Sequence, residues 1–368
     1  MPHECASEQS RYSSGGGRAP AQSQSEVIAF LSSPAAFPGC PAHIERYETH
    51  GAVVFAGPDA VYKIKRAVRY PYMDFSTLEL REAVIRREFA LNAPCAPDLY
   101  LGVVAVTRRA DGGLELGGDG APVEWALHMR RFREADLLSE VAARGALDRP
   151  LALAVADAIA ASHARAPAGP AAGGAARIAR VAAQVAGGLA AEPGVFSMRE
   201  TEVFRTAANR QIERVSALLD RRAARGLVRR CHGDLHAANV VLWRGRPVLF
   251  DALEFDEDLA TIDTFYDLAF ILMDLDRCGA RPAANLVLNR YLLASRDPLG
   301  VEALAALPEL QADRICGHNV VIFRGQGGRE RLGIHPGQHQ DPAVVDVLDD
   351  GRHEAIGPEA DGRGHPTA

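Results

Sequence analysis

The segment with the clearest chemical content is His232-Gly233-Asp234-Leu235-His236-Ala237-Ala238-Asn239. It is followed by the apolar run Val240-Val241-Leu242, the turn residues Trp243 to Pro247, and Val248-Leu249-Phe250 ending in Asp251. An Asp on a loop stands five residues before an Asn, and a second acid returns on the neighbouring strand of a hairpin. Phosphoryl transfer from ATP needs such a set. A carboxylate accepts or orients the proton of an attacking hydroxyl, an amide oxygen and a second carboxylate hold Mg2+, and a cation draws in the phosphates. Asp234, Asn239 and Asp251 supply the first three. The two ends of a short two-stranded ribbon lie side by side, which gives these residues a reason to converge.

The elements that must position this set divide the chain. Residues 1–25, with Gly15, Gly16 and Gly17 in a row, lack apolar periodicity and are expected to form a disordered arm. From Glu26 the composition changes. A short helix over EVIAFL precedes two β-rich runs around Gly57-Pro58-Asp59, a hairpin signal. Leu78, Val84, Ile85 and Phe89 then recur at helical spacing after Ser76 or Thr77 as N-cap. Further β-like runs with Gly-rich turns reach to about residue 130. The expected unit is a small antiparallel sheet with a helix packed on it. From about Leu151 the chain is Ala-rich and helical, broken at 166–174, and the strand–turn–strand of the HGD segment interrupts this helical half. Phe265, Leu268, Ala269, Leu272 and Leu275 mark one face of another amphipathic helix.

At this point the sequence resembles a family. HGDLHAANVVL, LFDALEF and TIDTFYDLAF, with ETHGAVVFAG, AVYKIKRAVRYPYMDFSTLELREAVIRREFALN and EWALHMRRF upstream, look like the core of the aminoglycoside phosphotransferase-like and choline-kinase-like small-molecule kinases. They most resemble a bacterial subgroup often fused to a C-terminal P-loop kinase domain. The resemblance covers about residues 26–310. It implies an α+β, protein-kinase-like bilobal fold with a small antiparallel-sheet N-lobe over 26–130 and a mainly helical C-lobe over 131–310. ATP would lie in the cleft, with Asp234 as catalytic base, Asn239 and Asp251 as Mg2+ ligands, and the hydroxyl of a small molecule as acceptor. It also implies a strand lysine that touches the α- and β-phosphates and pairs with a helix glutamate. Of 41 basic residues only two are lysines, Lys63 and Lys65, and both stand in the run after the Gly57-Pro58-Asp59 turn. Lys63 is assigned that role with Glu88 as its partner. Lys65, two residues on and so on the same strand face, is the competitor.

Several departures from the family pattern are visible. No G-x-G-x-x-G loop is present, and the hairpin HGAVVFAGPDA is the nearest substitute. Asp251 is followed by Ala-Leu and not Phe-Gly, and the sequence contains no G-x-x-x-x-G-K-[ST] of the fused P-loop partner. These departures keep a rival open, a kinase-like nucleotide-binding protein without turnover, either a pseudokinase or a truncated remnant of a two-domain protein.

Other residues admit two readings. His232 and His236 are read as structural, one bracing the loop and one lining a pocket or solvated, against the alternative of metal ligands; two His without a third ligand do not make a zinc site. The acidic run Glu254, Asp256, Glu257 and Asp258 reads as a solvated loop, against a negative rim for a cationic substrate or an extra metal ligand at Glu254. Asp267 reads as a brace for the catalytic loop, His163 as a packed or capping residue, and the Arg-rich stretch 177–230 as a solvated helical face.

Net charge is −6, from 41 basic and 47 acidic residues, which argues against a general nucleic-acid binder. The six cysteines form no C-x-x-C pair, so neither a zinc cage nor a disulfide framework is indicated. With no apolar run of spanning length and no hydrophobic signal core, the expected location is cytoplasmic. The stretch 311–368 holds five of the 12 His and a single aromatic, Phe323, and has no sustained apolar period. It is expected to be disordered or to come from an out-of-frame reading.

Overall fold

The computed structural model describes residues 24–70, 73–191, 193–297 and 300–304. The stretch 311–368 and residues 1–23 of the expected arm lie outside them. Gln24 and Ser25, assigned to that arm, are the cap and the first residue of helix α1 (Ser25–Leu31). The glutamine amide is what anchors this end: it donates to the Lys65 carbonyl at 2.8 Å and accepts from the Ala67 N–H at 2.7 Å.

The N-terminal part is an antiparallel sheet built from β1 (Glu45–Glu48), β2 (Ala52–Ala56) and β3 (Ala60–Lys65). The two-residue strands β4 (Arg69–Tyr70) and β5 (Met73–Asp74) make a separate small ribbon. Helix α2 (Leu78–Asn92) precedes β6 (Tyr100–Arg108), β7 (Leu114–Leu116) and β8 (Pro122–Arg130). The remaining six strands form one sheet in the order β1-β2-β3-β8-β6-β7. Register through the centre is set by Lys63 opposite Val54 on one side and Leu127 on the other. The Gly57 N–H closes the β2–β3 turn on the Ala60 carbonyl at 2.9 Å. A side chain at Gly57 would strike the Phe37 ring, with Cδ1 only 2.7 Å from the position of a Cβ, so this glycine serves close packing.

Alternation along β3 assigns its two faces. Ala60, Tyr62 and Ile64 join Val27, Leu31, Phe37, Val53 and Phe55 in an apolar layer under α1. Lys63 and Lys65 therefore point to the opposite face, where α2 packs through Ile85 and Phe89 against Val61, Leu127 and Tyr100. Helix α2 starts where expected, with the Thr77 hydroxyl accepting from the Leu80 N–H. The sheet thus carries a helix on each face, α1 as well as the expected α2.

The C-terminal part is mainly helical. Helices α3 (Leu138–Ala143), α4 (Arg149–Arg165), α5 (Gly174–Ala191) and α6 (Met198–Ala224) lead into strand β9 (Val228–Arg230). Hairpin β10 (Val240–Trp243) and β11 (Arg246–Leu249) follows, then α7 (Glu257–Ala260), β12 (Thr261–Asp263), α8 (Thr264–Arg277), α9 (Arg281–Ser295) and α10 (Gly300–Leu304). β12 pairs antiparallel with β9. The sequence explains the helix ends: Asp148 caps α4, Ser197 and Glu200 form a reciprocal capping box on α6, and Asp263 caps α8. One continuous core joins α4, α5, α6, α8 and α9 through Ile159, Ile178, Leu219, Phe265 and Val287. The architecture is the expected α+β class, an antiparallel sheet followed by a helical half.

Arg222 corrects the reading of the Arg-rich stretch as a solvated face. It is 1% exposed, forks onto Asp263 at 2.7 and 2.8 Å, and also pairs with Asp297. A guanidinium survives such burial only because two carboxylates meet it.

Candidate active site

The loop between β9 and β10 carries the HGD segment. Gly233 adopts φ +81°, and a Cβ there would sit 3.0 Å from Leu253 Cβ and 3.1 Å from Ala260 Cβ, so glycine alone fits. Asp267, in the first turn of α8, braces this loop from beneath. Its carboxylate accepts from the Gly233 N–H at 2.7 Å, the His232 N–H at 3.2 Å and His163 Nε2 at 3.0 Å. His163 Nδ1 meets the Tyr291 hydroxyl at 2.7 Å. Burial pushes the Asp267 carboxyl up, but the His163 hydrogen bond and charge outweigh it and hold the group below the usual aspartate range. Cys231 lies beside His163 and Asp267, where burial pushes its thiol well up; with both His163 nitrogens engaged, this trio is a bracing cluster.

His232 Nε2 lies 2.9 Å from the Phe250 carbonyl, which can only accept, so Nε2 carries the proton and Nδ1 accepts from the Asp234 N–H at 3.3 Å. Burial lowers its pKa, in keeping with this neutral ring. Asn239 Nδ2 donates to the Asp234 carbonyl at 2.9 Å and to Asp234 Oδ2 at 3.2 Å. Both bonds use the amide nitrogen, so the amide oxygen is the ligand atom Asn239 has left to offer. His236 Nε2 stands 3.6 Å from Asp234 Oδ2, and both side chains are more than a third exposed. Burial lowers the His236 pKa, yet the Asp234 carboxylate more than reverses this.

The β10–β11 hairpin brings the second acid back. The Phe250 N–H donates to the Asn239 carbonyl at 3.0 Å, so Asp251 emerges beside Asn239. Asp251 has φ +60°, a left-handed conformation uncommon for a residue with a Cβ. Two residues distant in the sequence hold it there. The Asp251 N–H donates to the Tyr100 hydroxyl at 2.9 Å, and the Ala252 N–H donates to Asn92 Oδ1 at 2.9 Å. Neither has a local sequence signal, because each acts across 150 residues or more of chain. Asp274 is a third such residue, accepting from the Ala237 N–H at 2.8 Å.

The lysines meet this loop from the sheet side. Lys63 Nζ is 2.8 Å from Glu88 Oε1 and 2.7 Å from Asp251 Oδ1. Lys65 Nζ is 2.6 Å from Glu88 Oε2 and 2.5 Å from Glu254 Oε1. Only the Glu254 contact has hydrogen-bond geometry, so Glu88 Oε2 is held by charge without a hydrogen bond. Burial disfavours both ammonium groups, but Asp251 and Glu88 beside Lys63, and Glu88 and Glu254 beside Lys65, raise both above the ordinary lysine range. Burial also pushes the Asp251 carboxyl up, and the Lys63 charge and hydrogen bond reverse this, holding it below the usual range. Glu254 goes the other way: burial and the nearby Glu88 charge outweigh Lys65. Glu254 is 7% exposed, which corrects the solvated-loop reading at that position; Glu257 and Asp258 are exposed. Exposure separates the two lysines, at 14% for the Lys63 side chain and 4% for Lys65, and Lys63 is the one facing Asp251.

No protein-family model matches the chain. A protein of Mycobacterium tuberculosis described as uncharacterised is 30% identical over 269 residues, covering 70% of this chain and 52% of that protein. The chain thus spans about half the length of the curated relatives it matches. Among solved structures the chain is similar to aminoglycoside phosphotransferases and choline/ethanolamine kinases. One is an aminoglycoside phosphotransferase from Streptomyces rimosus in complex with ADP and streptomycin (18% identity, TM-score 0.44, 77% of this chain and 98% of that one). Another is a choline/ethanolamine kinase family protein from Mesorhizobium loti (16% identity, TM-score 0.42, 78% and 83%). No helix among the described residues is long and apolar enough to cross a membrane.

Proposed function

We propose that the chain is a cytoplasmic phosphotransferase of the aminoglycoside phosphotransferase-like and choline-kinase-like class, moving the γ-phosphoryl group of ATP to a hydroxyl of a small molecule. The observation that carries this reading is the meeting of Lys63 and Asp251 at 2.7 Å beside the Asp234–Asn239 pair. A cation, two carboxylates and an amide from three separate segments, β3, the β9–β10 loop and the end of the β10–β11 hairpin, surround one place.

The donor set fits a hard divalent cation: Asp251 offers a carboxylate kept ionised by Lys63, and Asn239 offers an amide oxygen. These two would hold Mg2+, which when bound supplies charge neutralisation to the phosphates. Asp234 orients an acceptor hydroxyl and takes its proton, with Asn239 Nδ2 fixing the carboxylate's direction. Lys63 meets the phosphates, and Glu88 holds it from behind. His232, Asp267 and His163 keep the loop rigid, so that Asp234 is positioned before substrate arrives. His236 lines the acceptor side of Asp234. In this reading residues 26–130 bind the nucleotide, and 131–310 carry the catalytic loop and the acceptor site.

The test is ATP consumption by the purified chain with Mg2+ across a panel of hydroxyl-bearing metabolites, prefiltered by thermal shift with a non-hydrolysable ATP analogue. Acceptor-dependent ADP release that Asp234→Ala abolishes is expected. Mg·ATP binding without turnover on any acceptor supports the pseudokinase reading instead.

A further inference from the structure

Lys65 is the second of only two lysines in the chain, it is nearly sealed from solvent, and the phosphotransferase reading gives it no task. Its surroundings suggest one. Glu88 is fully buried and divides its carboxylate, Oε1 to Lys63 and Oε2 to Lys65. Glu254, three residues beyond Asp251, holds Lys65 from the helical side. Two ammonium groups therefore face three carboxylates, Glu88, Asp251 and Glu254, in one network.

We infer that Lys65 is a positioning residue that keeps Lys63 available to phosphate: it occupies the second oxygen of Glu88 and neutralises Glu254, so that Lys63 is not shared among three carboxylates. This rests on the phosphotransferase reading of the site. With Lys65 present, Glu88 grips Lys63 through Oε1 alone, and Lys63 can exchange Asp251 for a phosphate oxygen without being drawn deeper. Without it, Lys63 is the remaining cation, among the described residues, that acts on Glu254 and the second Glu88 oxygen. The network then carries one further uncompensated negative charge where a polyanion must bind, in surroundings where charges act at reduced screening.

A positioning role differs from direct phosphate contact and from structural support in how nucleotide affinity responds to charge. Nucleotide affinity is measured by calorimetry with Mg·ATP on the full chain, well below each variant's melting temperature. Lys65→Met is expected to lower affinity about tenfold, within the range of coupling between contacting charges. Lys65→Arg retains most of it. The decisive variant is the double change Lys65→Met with Glu254→Gln, which restores charge balance and should recover most of the lost affinity although Lys65 is still missing. If the double variant binds as weakly as Lys65→Met, or if Lys65→Met lowers only the melting temperature, the inference is overturned while the phosphotransferase reading stands. Absence of Mg·ATP binding by the wild-type chain overturns both.

Discussion

Lys63 Nζ and Asp251 Oδ1 are 2.7 Å apart, although 188 positions separate the two residues in the chain. The contact joins the central strand of the sheet to the end of the β10–β11 hairpin, and each group sets the charge state of the other. Lys63 is held as a cation and Asp251 as a carboxylate. Replacing Asp251 by Asn keeps the shape and removes the charge. Mg·ATP affinity is expected to fall by about tenfold or more, as charge-assisted contacts are the strong ones. The melting temperature without nucleotide stays close to wild type, because the side chain is 39% exposed. Thermal shift with and without Mg·ATP reads both quantities, and equal ligand-induced shifts in wild type and variant would rule out the metal role.

Asp234 is partly exposed and its main-chain N–H is secured by His232, so the loop does not depend on its carboxylate. Asp234→Ala should lower turnover about 10²–10⁴-fold with little change in nucleotide affinity. Unfolding curves should overlay those of the wild type. Retained turnover sinks the assignment of Asp234 as base.

Tyr100→Phe deletes the acceptor for the Asp251 N–H while leaving the ring in place. A main-chain donor left unsatisfied costs about 1–3 kcal/mol. Because Asp251 is already in a left-handed conformation, the expected result combines lower stability with weaker Mg·ATP binding. Denaturant unfolding and calorimetry report the two separately; a change in neither means that the tyrosine hydroxyl does not hold the loop.

Asp267 provides a pH-dependent prediction. Its folded-state pKa is depressed, so its contribution is fully present above the ordinary aspartate pKa and is lost as pH falls through the lower folded value. Asp267→Asn turns one buried acceptor into a donor facing donors, and should cost about 3 kcal/mol at neutral pH. The stability gap between wild type and variant should hold steady above about pH 4 and narrow below that, as pH falls from the ordinary aspartate value through the depressed folded one. A gap that stays constant below about pH 4 contradicts the ionised brace.

Gly233→Ala places a methyl group against Leu253 and Ala260 and forces alanine into φ +81°. The two effects together should cost about 2 kcal/mol or more. The displaced loop carries Asp234 with it, so turnover should fall further than the loss of folded protein explains. Activity per folded molecule, from turnover and the unfolding baseline, is the quantity to compare.

Local chemistry could be read from the sequence wherever the cause lies within a few residues. The spacing of Asp234 and Asn239, the hairpin that returns Asp251, a cap at Ser76 or Thr77 and the apolar period of α8 are of this kind, since turns, caps and periodicities act over one or two turns of chain. That Lys63 and Lys65 share a strand face followed from the two-residue repeat alone. Which of the two lies nearer solvent did not, because it depends on the depth at which Asp251 and Glu254 pack against β3. Tyr100, Asn92 and Asp274 were equally hidden: a tyrosine hydroxyl, an amide and a helix carboxylate have no distinguishing pattern until folding brings a distant main-chain N–H to each. Burial of Arg222 and Glu254 departs from the solvated reading for the same reason, since a charged run looks solvated until the partner carboxylates or ammonium groups arrive from elsewhere. Chain order alone therefore fixes which chemical groups are present and which of them are local neighbours. Tertiary structure decided which charges face one another, because that depends on side-chain packing between segments as many as 189 residues apart.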